Sequence, residues 1–430
     1  MTDLALEARR IVVAAVRAVQ APALRHYIDL EALAGRRVEA FGRVVVVGAG
    51  KASAALAGVL EGGHAEAGLA LEGEVAIPDG YPDLPPSMPT PQRIRVVRAG
   101  HPVPTAASAR AARRALEAAR SAGPEDLVVA LISGGGSALW ALPPPGVRLE
   151  DVRATTRSLL ASGASIEDVN AVRKHLSQIA GGRLAQAAAP ARLVALVLSD
   201  VVGDDLATVA SGPTVPDPTT FTDALEVVTG LAVPASVRRH LERGAAGEVP
   251  ETTGPDDPSL ATSRTTLIGS NVAALEAAAR EARRRGYAVE VERGVQGEAR
   301  EVGARMARRA LEAAPGTALV WGGETTVTVA GSGRGGRNQE VALAAALVLE
   351  DAGIEGVVLS AGTDGVDGPT GAAGGWATPA TAGSVRAAGL DPDARLANND
   401  AYAALEAAGT LLVTGPTHTN VADIGVALRT

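Results

Sequence analysis

The sequence predicts an α/β protein with largely parallel sheets, and three observations carry that reading. Apolar, β-branched runs alternate along the chain with Ala/Arg-rich stretches of helical character. Short glycine-rich, polar segments follow several of those runs, where ligands of open α/β sheets bind. The chain has 430 residues, 47% of them hydrophobic, which is long for one core and points to two domains.

The elements follow in order. The valine run at 43–47 predicts the first strand. Apolar runs at 74–77, 94–98, 127–132 and 193–198 predict four more in the first half. In the second half strands are expected at 265–268, 288–292, 317–321, 325–329, 357–360 and 411–414. Helices are expected between many of them, such as Ser108–Ala122 and Val272–Arg285, both rich in Ala and Arg. The stretch 244–264, "GAAGEVPETTGPDDPSLATSR", is rich in Pro, Gly, Thr and Asp without apolar period, so it reads as a linker or long loop. It sets expected domains at 1–250 and 262–430, with the C-terminal stretch a candidate to pack back on the first. The segment 78–93, "PDGYPDLPPSMPTPQR", reads as a surface excursion of the first domain, and no internal repeat occurs.

Composition excludes several classes. Aromatic residues are only 2% and net charge is −8, so nucleic acid and anionic membranes are poor partners. Without cysteine there is no disulfide, thiolate catalyst or Cys-based metal site. The charged N-terminal pattern is not that of a signal peptide, and no run of about 18 uncharged apolar residues suits a membrane span. A cytoplasmic location is expected. The oligomeric state stays open, a homo-oligomer included.

Six stretches join an apolar run to small and polar residues: "GAGKAS" (48–53), "LISGGGSAL" (131–139), "LVLSDVVGDD" (196–205), "LIGSN" (267–271), "VWGGETTV" (320–327) and "LSAGTDGVDGPTGAAGG" (359–375). The first meets neither common phosphate motif. Lys51 comes too soon after Gly48 for a Walker loop, and Ser53 stands where a dinucleotide fingerprint has its third glycine. What remains at Gly50 and Lys51 is a cation on a strand-to-helix turn, suited to an anion. Gly134, Gly135 and Gly136 allow main-chain N–H groups to cradle oxygen atoms, with Ser133 and Ser137 as further donors. Asn271 of "GSN" is a candidate phosphate or substrate contact.

Asp200, Glu324 and Asp364, the last paired with Asp367, are acidic groups beside such glycines, and carboxylates there suit Mg²⁺ shared with phosphates. Helix capping explains each aspartate equally well. The second cationic stretch is "GSGRGGRNQE" (331–340). Arg337, immediately before a helix, is the functional candidate, and Arg334 between glycines reads as solvated. His26, His64 and His240 read as surface residues, and His101 as a candidate to line a cleft. No metal spacing of histidines and no G-x-S-x-G elbow occurs.

Taken together, "VVGAGKAS", "AGHPVP", "LISGGGSAL", "NAVRKHLS", "SDVVGDD", "ASGPTVPDPTTF", "GGETTV", "GRGGRNQE", "GTDGVDGPTGAAG" and "TGPTHTNVADI" resemble the glycerate 2-kinases of the MOFRL type, and the resemblance covers nearly the whole chain. It implies two α/β domains, a larger Rossmann-like parallel-sheet domain first and a smaller mixed-sheet domain second, with the active site in the cleft between. It implies ATP-dependent phosphorylation of D-glycerate at its 2-hydroxyl, giving 2-phosphoglycerate and ADP, with Mg²⁺ on the nucleotide. The family's essential Lys and Arg correspond to Lys51 and Arg337, and Asp200 or Asp364 is the candidate to orient the attacking hydroxyl. Two other readings stay open. A hydroxypyruvate reductase would need a ribose-binding acid about 20 residues after the first turn, near Glu72 and Glu74. A non-catalytic sugar-acid or phosphate binder would need the loops without both cations.

Overall fold

The computed structural model describes residues 3–64, 71–350, 352 and 355–430. The chain forms two compact units, Leu24–Ile268 and a second made of the chain through Ala23 with Gly269–Thr430.

The first unit is built on β1 (Val44–Ala49), β2 (Leu71–Pro78), β3 (Ile94–Ala99), β4 (Leu127–Ser133), β5 (Arg192–Leu198) and β6 (Ser263–Gly269), in the order β3-β2-β1-β4-β5-β6. β1 to β5 pair in parallel. This is the doubly wound Rossmann order, in which the winding reverses between β1 and β4. Those two strands are buried along their whole length, as Val and Leu runs of a sheet covered on both faces should be. Their outer residues pack against the helix Ala106–Arg120 in a core of Ala, Val and Leu. A second core gathers helices Leu149–Ala161, Ile166–His175, Phe221–Val227 and Ala235–Ala245 around Phe221. His175 and His240 meet the Phe221 ring edge-on at 4.6 and 5.4 Å. His240, expected at the surface, is therefore buried. Its Nε2 bonds the His175 carbonyl, and burial pushes its pKa down.

The second unit holds β7 (Ala288–Val295), β8 (Thr317–Gly323), β9 (Gly356–Gly362), β10 (Gly374–Ala377), β11 (Leu411–Leu412) and β12 (Asp423–Arg429), ordered β11-β10-β9-β12-β8-β7. It is a mixed sheet: β7 runs parallel to β8, while β12 is antiparallel to both β8 and β9. Two of these strands were not expected from the sequence. β10 reads as a glycine loop, and β12 follows a polar turn with no long apolar run, yet it fills the middle of the sheet. The C-terminal stretch thus completes the second sheet. The expected strand at 325–329 forms only an isolated bridge, Glu298 to Thr326. Its Thr-Val alternation suits a strand, but most of it is exposed and Glu298 takes the Thr328 N–H instead. The first helix, Asp3–Ala18, packs on helix Asn271–Arg284 and on β9 and β12 of this unit, where Glu7 pairs with Arg285 at 2.6 Å. Among the described residues no helix is long and apolar enough to cross a membrane.

Helices Ala299–Glu312 and Arg337–Glu350 make the most extensive helix pair of the second unit. Their close approach depends on Gly303, where a Cβ would collide with the Val341 carbonyl. Gly303→Val is expected to lower stability by about 1–3 kcal/mol through overpacking, read as an earlier denaturant midpoint.

Candidate active-site residues

In a doubly wound sheet the crevice for ligands lies outside the carboxyl ends of the strands at the reversal point. Here those strands are β1 and β4, in register from Val44 opposite Leu127 to Ala49 opposite Ile132. β1 runs into Gly50 and Lys51, and β4 into the triglycine segment. The two turns are bound to each other. The Lys51 N–H donates to the Gly134 carbonyl at 3.0 Å, and the Ala52 N–H donates to Ser133 Oγ at 3.0 Å. Gly50 sits at φ +141°, and a Cβ there would run into the side chain and carbonyl of Ser133, so only glycine permits the approach.

This geometry divides the expected site residues. Ser133 is fully buried and braces the turn. Gly134, Gly135 and Gly136 continue past it, and Ser137 Oγ lies 3.0 Å from Ser211 Oγ. Ala210 and Ser211 both have positive φ, 51° and 60°. Two consecutive non-glycine residues in that region cost about 1–3 kcal/mol each and tend to cluster at functional sites. Lys51 is half-buried on its turn. Asp200, also half-buried, lies just beyond β5, the neighbour of β4.

In the second unit the structure brings Arg337 and Glu324 together and adds partners that sequence reasoning missed. Arg337 opens helix Arg337–Glu350. Its Nη1 donates to Glu324 Oε1 at 2.6 Å and its Nη2 to Asp423 Oδ1 at 3.0 Å, while Nε lies 2.6 Å from Asp423 Oδ2. The planar fork on Asp423 fixes the guanidinium in orientation. Burial opposes its charge, but Asp423 and Glu324 outweigh it and hold the Arg337 pKa above its ordinary value. The two carboxylates differ in exposure, 9% for the Asp423 side chain and 47% for Glu324. Asp423 is therefore the anchor, and Glu324 holds the more exposed edge of the fork.

Behind this pair lies a buried polar network. Asn338 Nδ2 donates to Asp423 Oδ1 at 2.9 Å, and Asn338 Oδ1 accepts from Ser360 Oγ at 2.6 Å. Asp367 accepts the N–H groups of Asn338 and Gln339 at 3.1 and 2.9 Å, so it caps the helix that carries Arg337 from a distant loop. Glu340 is tied to Asn399 at 2.7 Å and Arg300 at 3.2 Å. Asn271 donates its amide to the carbonyls of Val421 and Asp423, both at 2.8 Å, and so staples the approach to β12. Asp364 is buried on the loop after β9, where Oδ1 accepts the Val366 N–H at 3.0 Å. Arg334 is exposed, as expected, and its guanidinium also stacks 4.0 Å from the centroid of the Tyr402 ring. The sequence signals for Asp367 and Asn338 were present, since both lie in glycine-rich stretches beside candidate residues. Nothing marked Asp423 as their partner.

As to a metal, no three His, Cys, Asp or Glu side chains gather into a ligand set among the described residues. An ion that keeps most of its waters needs only one or two protein carboxylates.

Comparison with known proteins agrees with these features. Residues 7–242 match a family described as "Domain of unknown function (DUF4147)", and residues 317–423 match the MOFRL family. A glycerate 2-kinase of Pyrococcus horikoshii is 43% identical over 411 residues, covering 92% of this chain and 89% of its own. The chain belongs to the MOFRL glycerate 2-kinase family. The crystal structure of a glycerate kinase from Thermotoga maritima superposes with a TM-score of 0.85 at 39% identity, covering 99% of both chains. A protein of Agrobacterium vitis named as a hydroxypyruvate reductase is 44% identical, over 89% of this chain and 86% of its own. As a MOFRL glycerate 2-kinase family member, the chain is an enzyme of the kinase class.

The Asp367 cap makes this kinase's stability depend on pH. Burial pushes the Asp367 carboxyl up to about 6, against the pull of the N–H groups of Gln339 and Asn338. The native state therefore holds a proton that the unfolded state, titrating near 3.8, has already lost. That contribution is complete below pH 4 and is lost as pH rises through 6. The stability of the wild-type chain relative to Asp367→Asn should fall by about 2 kcal/mol between pH 4 and pH 7, measured by denaturant titration of both at each pH.

Proposed function

We propose that the chain transfers the γ-phosphoryl group of ATP to the 2-hydroxyl of D-glycerate, giving 2-phosphoglycerate and ADP. The bond from O2 to phosphorus forms, the bond from the β–γ bridging oxygen to phosphorus breaks, and the hydroxyl proton passes to a carboxylate, for which Asp200 is the candidate. The observation that carries this reading is the meeting of Lys51 with the triglycine turn at the reversal point of the first sheet. Phosphoryl transfer asks for positioning and for cations on the equatorial oxygens, with little other chemistry from the protein. Lys51 supplies charge where main-chain groups also converge, and Arg337 supplies a second, orientation-locked cation. The names of the relatives support glycerate as acceptor. Mg²⁺ would neutralise the nucleotide phosphates, with Asp200, Glu324 and Asp364 as the carboxylates proposed for it. Of these, Glu324 is already engaged by Arg337.

The reductase reading finds less support. Glu72 and Glu74 lie within β2, not at its carboxyl end, and pair with Arg43 and Arg114, both at 3.1 Å. Asp79, exposed at that end, suits the ribose of ATP as well as that of a dinucleotide.

An enolase-coupled assay with D-glycerate, ATP and Mg²⁺ tests the proposal, because enolase acts directly on 2-phosphoglycerate and not on its 3-isomer. Signal without added mutase is expected. No ADP from folded protein, with NAD(P)H oxidised by hydroxypyruvate instead, would overturn it. Lys51→Ala should lower kcat by about a hundredfold or more. Arg337→Lys should fail to restore activity, because an ammonium cannot reproduce the fork on Asp423.

A further inference from the structure

The helix Ile166–His175 carries a group of donors that the reading above leaves unused. Its last turn is Arg173, Lys174 and His175. Two of these side chains have partners: Lys174 Nζ bonds Asp217 at 3.2 Å, and His175 Nε2 lies 3.1 Å from Glu251. Nearby Arg183 donates to the Lys174 carbonyl at 3.0 Å. Arg173 differs. It is only partly exposed, and among the described residues no carboxylate offsets its burial, which alone pushes its guanidinium down. Taking a guanidinium out of water without a counter-ion is costly, and such a group is ready to accept one.

One turn earlier on the same face stands Asn170. It is 4% exposed, and its Nδ2 has no hydrogen-bond partner among the described residues, although most buried amide donors find one. Its Oδ1 accepts from Ser211 Oγ at 3.4 Å, and Ser211 in turn meets Ser137 at 3.0 Å. This chain of side chains ties the Asn170 face of the helix to the end of the triglycine turn. Two donors without acceptors among the described residues, three residues apart on one helix, thus stand beside the crevice outside β4.

We propose that Asn170 Nδ2 and the Arg173 guanidinium bind the carboxylate of the hydroxy-acid acceptor, an inference that rests on the kinase reading above. A planar fork matches a carboxylate edge to edge, whereas the phosphates already have Lys51 and the main chain of the turns. A carboxylate held there fixes the adjacent 2-hydroxyl and gives the enzyme its preference for an acid over a neutral polyol.

The test compares D-glycerate with its amide, which keeps the 2-hydroxyl and lacks the charge, using wild type, Arg173→Gln, Arg173→Lys and Asn170→Asp. Arg173→Gln should lower kcat/KM for glycerate by about tenfold to a hundredfold, while the amide and the KM for ATP stay within about twofold. The acid-to-amide ratio then collapses. Arg173→Lys should recover part of it, and Asn170→Asp should depress it by placing a charge against the substrate's own. An unchanged ratio, or a loss confined to the KM for ATP, would overturn the proposal. Should Arg173→Gln fail to fold, the other two variants carry the same comparison. If the wild type phosphorylates no glycerate, the kinase reading fails separately. Calorimetry with D-glycerate alone then decides this site: binding by the wild type that Arg173→Gln loses supports it, and equal or absent binding refutes it.

Discussion

The contact between Gly50 and Ser133 is the constraint on which the first unit's site depends. Two parallel strands can be neighbours in many proteins without their outgoing turns touching. Here the Gly50 backbone lies against Ser133, the Ala52 N–H is fixed by the Ser133 hydroxyl, and Lys51 is bonded through its main chain to Gly134. Lys51 therefore leaves a turn held at two points. A cation on a loose loop would lose much of its value, because electrostatic catalysis requires that the charge need not reorganise as the reaction proceeds. The sheet order adds the location: a fixed cation at the reversal point stands where an α/β sheet admits a ligand.

The second unit solves a similar problem with charge. Arg337 is aligned by a carboxylate that is itself buried, and that carboxylate is held by Asn338, which Ser360 orients in turn. Asp367 closes the arrangement by capping the helix from which Arg337 and Asn338 both project. β12 is central to it, because it brings Asp423 to the sheet's middle, and Asn271 clamps the chain just where it enters that strand. Glu324 and Asp423, far apart in sequence, thus meet on one guanidinium.

Much of this was legible in the residues. The alternation of apolar runs with Ala-rich stretches gave the α/β class, and unbroken runs such as 127–132 announced strands buried on both faces. The two cations stood out because each follows glycine at the edge of a regular element. What was not legible depends on distance along the chain. β12 has its apolar character interrupted by Gly425 and lies far from the strands it pairs with, so no local pattern ranked it as central. The first helix reads as the start of the first domain by position, yet its apolar face packs on the second sheet. The same holds for side chains: Asp423, Asn170 and Ser211 acquire their roles only from partners tens to hundreds of residues away. Arg334 is exposed as its glycine neighbours suggest, but its stacking on Tyr402 had no local signal.

The central claim is that the turns after β1 and β4 form the phosphate site and that Lys51 acts there. The most direct measurement is a crystal structure with a non-hydrolysable ATP analogue and D-glycerate. The account predicts the terminal phosphates outside the carboxyl ends of β1 and β4, with an oxygen within about 3 Å of Lys51 Nζ. Phosphates bound elsewhere, with Lys51 touching neither nucleotide nor glycerate, would contradict it.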